Sequence, residues 1–136
     1  MNFSKTTSYS LNILSFMARN PETRVSADSL HRQLGIPYQY LRQLLTNLSK
    51  DGIITSERGR NGGFILGRDS RKIFLIDILR ISEGEDIMSR CIMGFKKCPF
   101  DSFCQMHNLW VDARKSLMEA MEKTSLFELS HGEKLN

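Results

Sequence analysis

A glycine and a proline with one residue between them, Gly35-Ile36-Pro37, constrain this chain more than any other local feature. Glycine enters the left-handed backbone that ends many helices at little steric cost, so Gly35 predicts the close of one helix. Proline is favoured at the first helical position, where its missing N–H would have had no partner, so Pro37 predicts the start of the next. Two helices must then meet at a tight turn. Upstream, Ser26 is placed as an N-cap, with Asp28 in the first turn and Val25 and Leu30 spaced as a hydrophobic staple. Downstream, P-Y-Q-Y-L-R-Q-L-L-T-N-L-S-K sets Leu41, Leu44, Leu45 and Leu48 on one stripe, opposite Gln39, Arg42, Gln43, Thr46 and Lys50. Ahead of both, residues 8–18 place Tyr9, Ile13, Phe16 and Met17 on one face of a further core helix.

The continuation, D-G-I-I-T-S-E-R-G-R-N-G-G-F-I-L-G, predicts two short strands over 53–58 and 64–66 around the turn G-R-N-G-G. Such a hairpin presents Arg58 and Arg60 at its tip, suited to a phosphate backbone or a narrow minor groove. Charge agrees with this: residues 1–72 hold eleven Lys plus Arg against five Asp plus Glu, and residues 73–136 hold eight against ten, a split of +6 and −2. Glutamine and arginine can form paired hydrogen bonds to adenine and guanine edges, so the polar face of the third helix is equipped to read a major groove. Three helices and a basic hairpin, in that order, predict a mainly α protein. Its first unit, residues 1–72, is a winged helix-turn-helix domain with a two-stranded wing that binds double-stranded DNA.

Residues 73–136 read as the half that joins two chains. A short amphipathic helix over 73–82 ends at Gly84, and Ser125 with Glu128 offers a capping box for a last short helix. Between them Met106, Trp110, Ala113, Leu117 and Ala120 repeat at heptad spacing, which predicts a long dimerisation helix. All three cysteines lie in one segment closed by a histidine: Cys91, six residues, Cys98, five residues, Cys104, two residues, His107. These donor types suit an iron-sulfur cluster or a tetrahedral zinc, and the wide spacing favours the larger object. Unligated thiols remain the alternative. With hydrophobic residues at 40% and charged residues at 25%, the chain is expected to fold. An N-terminus without an apolar leader and the absence of a spanning apolar window place it in the cytoplasm, with no membrane partner. His31 and His131 have no evident nucleophile partner and read as surface residues, so neither an enzyme nor a small-molecule substrate is expected.

The motifs K-T-T-S-Y-S-L, G-I-P-Y-Q-Y-L-R-Q-L-L, S-E-R-G-R-N-G-G-F-I-L and C-P-F-D-S-F-C-Q-M-H-N-L-W resemble the IscR and NsrR family of bacterial winged-helix transcriptional regulators over nearly the whole chain. The resemblance implies a homodimer that contacts DNA through Tyr38, Gln39, Arg42 and Gln43 of the recognition helix and through Arg58, Arg60, Asn61 and Gly62 of the wing. It also implies an iron-sulfur cluster on Cys91, Cys98, Cys104 and His107, a 2Fe-2S cluster before a 4Fe-4S one, because the histidine stands where the IscR-like branch has its fourth ligand. Six residues between Cys91 and Cys98 make that interval one longer than is usual in the family, a loop insertion of small energetic consequence. The function expected is a DNA-binding regulator whose operator affinity follows the cluster. The alternatives are a cluster-less regulator that senses through its thiols, and a small iron-sulfur electron-transfer protein.

Overall fold

The computed structural model describes residues 4–60, 62–84, 87, 91 and 104–132. Helix α1 (Lys5–Arg19) starts earlier than the apolar periodicity indicated, because Ser4 caps it by accepting the Thr7 N–H at 3.3 Å. Helix α2 (Ala27–Leu34) is capped as expected, with Ser26 accepting the Ser29 N–H at 3.0 Å. Gly35 closes it at φ 69°, donating to the His31 carbonyl. Helix α3 (Tyr38–Lys50) opens one residue later than Pro37 suggested. Pro37 has ψ 131°, an extended value, and so stands just outside the helix while its carbonyl accepts the Leu41 N–H.

The hairpin follows, with β1 (Ile54–Glu57) antiparallel to β2 (Gly63–Leu66), Ile54 opposite Leu66 and Glu57 opposite Gly63. Its strands differ by a residue or so from the expected spans, since the ladder ends where the tip glycines turn the chain. A bridge of Val25 with Phe64 docks the hairpin on the segment before α2, through hydrogen bonds of 2.9 and 2.7 Å. Arg24 and Glu57 add an ion pair at 2.7 Å. A 3-10 turn (Ser70–Lys72) leads to α4 (Leu75–Glu83), and the chain finishes with α5 (Gln105–Lys123) and α6 (Leu126–His131).

One core gathers Ile13, Leu14 and Met17 of α1, Leu30 of α2, the α3 leucines, and Ile53 and Ile54 at the hairpin. Ile73, Ile78 and Leu126, all from beyond residue 72, belong to the same core. The Leu126 N–H donates to the Ile73 carbonyl at 2.7 Å, and the Arg19 side chain donates to the Ser130 carbonyl at 3.1 Å. Burial of the four α3 leucines points the opposite side of that helix outward. A smaller apolar cluster holds α5 against α4 through Ile76, Leu79, Met118 and Met121, with Leu117 packed beside it. Among the described residues no helix is long and apolar enough to cross a membrane.

Candidate nucleic-acid interface and cysteine segment

The outward face of α3 is built by subtraction: once its leucines are buried, Tyr38, Gln39, Arg42, Gln43 and Thr46 are left exposed. Together with Tyr40 they line an open groove of about 520 Å³. The Arg42 guanidinium stands 5.9 Å over the Tyr38 ring, one helical turn back, in a cation–π contact. Tyr38 meets the His31 ring edge-on at 5.7 Å. His31, expected as a plain surface residue, is half-buried instead, because its Nδ1–H donates to the Ile36 carbonyl at 2.6 Å and so braces the turn between α2 and α3.

Arg58 and Arg60 are exposed on the wing, as the hairpin reading required. Gly62 lies so close beneath the tip that a Cβ there would run into the Glu57 carbonyl, which makes glycine the one residue that fits. Asn61 lies outside the described residues. Tyr40 was not singled out from sequence. Its place on the border between the leucine stripe and the polar face was the available signal.

The four proposed ligands divide differently. Cys91 and Cys104 are half-buried and unpaired, His107 is exposed, and Cys98 lies outside the described residues. Cys104 occupies the N-cap of α5 and His107 its third helical position, so these two donors share one turn. Among the described residues, no three of His, Cys, Asp and Glu stand together as a metal set. The donor types, thiolate and imidazole, fit a cluster or zinc by their softness.

Along α5 the heptad stripe expected to face a partner is divided. Leu117 packs against α4 beside the buried Met118 and Met121, which is where part of the periodicity is spent, and Trp110 is half-buried. Met106 at 43% exposure, Leu109 at 68%, Ala113 and Ala120 form the outward stripe. Leu109 was missed, although it falls three residues after Met106 and four before Ala113, at the same heptad spacing.

The sequence model of the Rrf2 family, described as an iron-dependent transcriptional regulator, matches residues 3–132. The regulator IscR of Xenorhabdus nematophila is 36% identical over 103 residues, which cover 76% of this chain and 62% of that relative's length. CymR, the global cysteine regulator of B. subtilis, superposes with a TM-score of 0.82 at 26% identity, covering 98% of this chain and 99% of that one. IscR of T. potens gives a TM-score of 0.76 at 29% identity, covering 98% and 89%.

Proposed function

The chain belongs to the Rrf2 family of transcriptional regulators, and from that premise we propose that it binds double-stranded DNA as a homodimer, with an operator affinity set by the state of its cysteine segment. The observation that carries the reading is the exposed Gln39, Arg42 and Gln43 face of α3, held outward by a fully buried leucine stripe in the domain that also bears Arg58 and Arg60 on its wing. In a major groove, Arg42 can pair with guanine and the glutamines with adenine, while the wing arginines take phosphate or a narrow minor groove. Gly62 lets the chain pass close under the wing tip at that contact, and Asn61 is proposed as a further DNA-contacting residue. The outward stripe of Met106, Leu109, Ala113 and Ala120 fits the same stripe of a second copy, which would present two recognition helices to two half-sites.

Cys91, Cys98, Cys104 and His107 are the residues that would hold an iron-sulfur cluster, 2Fe-2S before 4Fe-4S. When bound, such a cluster would supply a redox-responsive centre on the segment of chain that joins α4 to α5. Regulation then needs a difference in free energy between the loaded and empty segment, as felt at α3 and the wing. A second reading keeps the DNA-binding role and uses the thiols alone, signalling by their oxidation. The likeness to the B. subtilis cysteine regulator and the half-buried, unpaired state of Cys91 and Cys104 favour it.

The two readings part in one experiment. Protein purified anaerobically is assayed for visible absorbance, iron and sulfide, and then titrated with a duplex enriched from a random pool in its loaded, empty-reduced and empty-oxidised forms. A shift between loaded and empty forms supports the cluster, and a shift between the two empty forms alone supports the thiols. Equal binding of every duplex tested would remove both.

A further inference from the structure

Helix α1 has no acidic residue in its own first turn, although the free N–H groups at a helix start attract negative charge. A carboxylate reaches it from α4. Glu83, the last residue of that helix, accepts both the Ser4 backbone N–H at 2.8 Å and the Thr7 hydroxyl at 2.6 Å on one carboxylate oxygen. Thr7 is fully buried, and its hydroxyl, whose proton goes to Glu83, also lies 2.7 Å from the Ser82 hydroxyl, which donates to the Ile78 carbonyl at 2.9 Å. The end of α4 and the start of α1 are thus tied by one polar cluster.

The other side of the same turn reaches the recognition helix. The Thr6 and Tyr40 hydroxyls are hydrogen-bonded to each other, and the Tyr9 ring meets the Tyr40 ring at 5.6 Å and 71°. Tyr40 is the third residue of α3 and lines the groove with Gln39 and Gln43. Glu83 is followed at once by Gly84, φ 98°, at the head of the segment that carries Cys91.

We propose that Glu83 and Tyr40 are positioning residues for DNA reading. Through Thr7 and Thr6 they clamp the first turn of α1 between α4 and α3, so that a displacement at the root of the cysteine segment shifts the base-reading face. This rests on the regulator reading given above for its consequence, while the clamp itself can be measured apart from it. Coupling through packed elements requires that disturbing one end alters the other.

The test uses the full chain as wild type, Glu83→Ala, Glu83→Gln, Tyr40→Phe and the Glu83→Ala/Tyr40→Phe double variant. Amide hydrogen exchange is followed across residues 38–43, and affinity is measured for the duplex that the wild type enriches from a random-sequence pool. Each of Glu83→Ala and Tyr40→Phe should speed exchange in residues 38–43 and weaken the enriched duplex roughly threefold to tenfold, the range set by one lost hydrogen bond. Glu83→Gln, which keeps an accepting oxygen, should stay near wild type, and the double variant should be no worse than the weaker single. Additive losses, or faster exchange confined to α1 and α4, would overturn the proposal. A further double variant, Glu83→Gln/Thr7→Val, which lies wholly outside α3 and removes the Thr7 hydroxyl that Glu83 holds, decides the matter even if Glu83→Ala unfolds: unchanged exchange at residues 38–43 would overturn the clamp. A pool that yields no enriched duplex would sink the regulator reading, and exchange at residues 38–43 would still decide the clamp.

Discussion

The Arg42 guanidinium stands over the Tyr38 ring, and His31 meets Tyr38 edge-on, so the arginine proposed to read a base has a packed neighbour in the free protein. Restricting a side chain before binding lowers the entropy lost on binding, which in the proposed reading suits a base contact at Arg42. Arg58 has a different task in the proposed reading. If the exposed wing lies against the phosphate backbone, Arg58→Ala should weaken binding to all duplexes alike and make the salt dependence shallower by about one phosphate contact. Gln43→Ala should instead narrow the gap between enriched and random duplex by about 1–3 kcal/mol, with the salt dependence unchanged. Titrations of both variants across a salt series check the pair, and parallel losses on operator and random DNA would contradict it. At the wing root, Gly63 has φ 149°, and a Cβ there would come within 2.7 Å of the Val25 carbonyl. Gly63→Ala should therefore cost about 1–3 kcal/mol in unfolding free energy, read by denaturant titration.

Among the elements, the last helix shows how completely local chemistry can specify a piece of structure. Ser125 and Glu128 were read as a capping box, and both bonds are present, at 3.0 and 3.1 Å, with Leu126 inserted in the main core directly behind them. Ser125→Ala should lower stability by about 1 kcal/mol without moving duplex affinity beyond what partial unfolding explains, as a melting curve and a titration together would show. Helix α5 teaches the opposite lesson. Its apolar residues cover two adjoining faces, one spent on Ile76 and Leu79 of α4 and the other left outward. Periodicity announces that a helix has apolar faces, and says nothing of which neighbour each will find.

For the molecule as a whole, the outward stripe of α5 is the feature that a single chain leaves unsatisfied. On the proposed dimer, a charge placed there separates the copies: Leu109→Glu should shift sedimentation toward the monomer mass and weaken operator binding more than it weakens binding to a single half-site. An unchanged mass would contradict pairing through this stripe. What the sequence by itself determined are the features that neighbours in the chain decide: the αL glycine between α2 and α3, the Ser26 and Ser125 caps, the leucine stripe that turns Gln39, Arg42 and Gln43 outward, and the order of three helices and a wing. Only the tertiary structure decided that Glu83 would meet Thr7 across 76 positions, that Thr6 would reach Tyr40 across 34, and which side of α5 would be buried. Such contacts leave no mark in the spacing of residues along the chain, because they arise only when separately formed helices pack around a shared core.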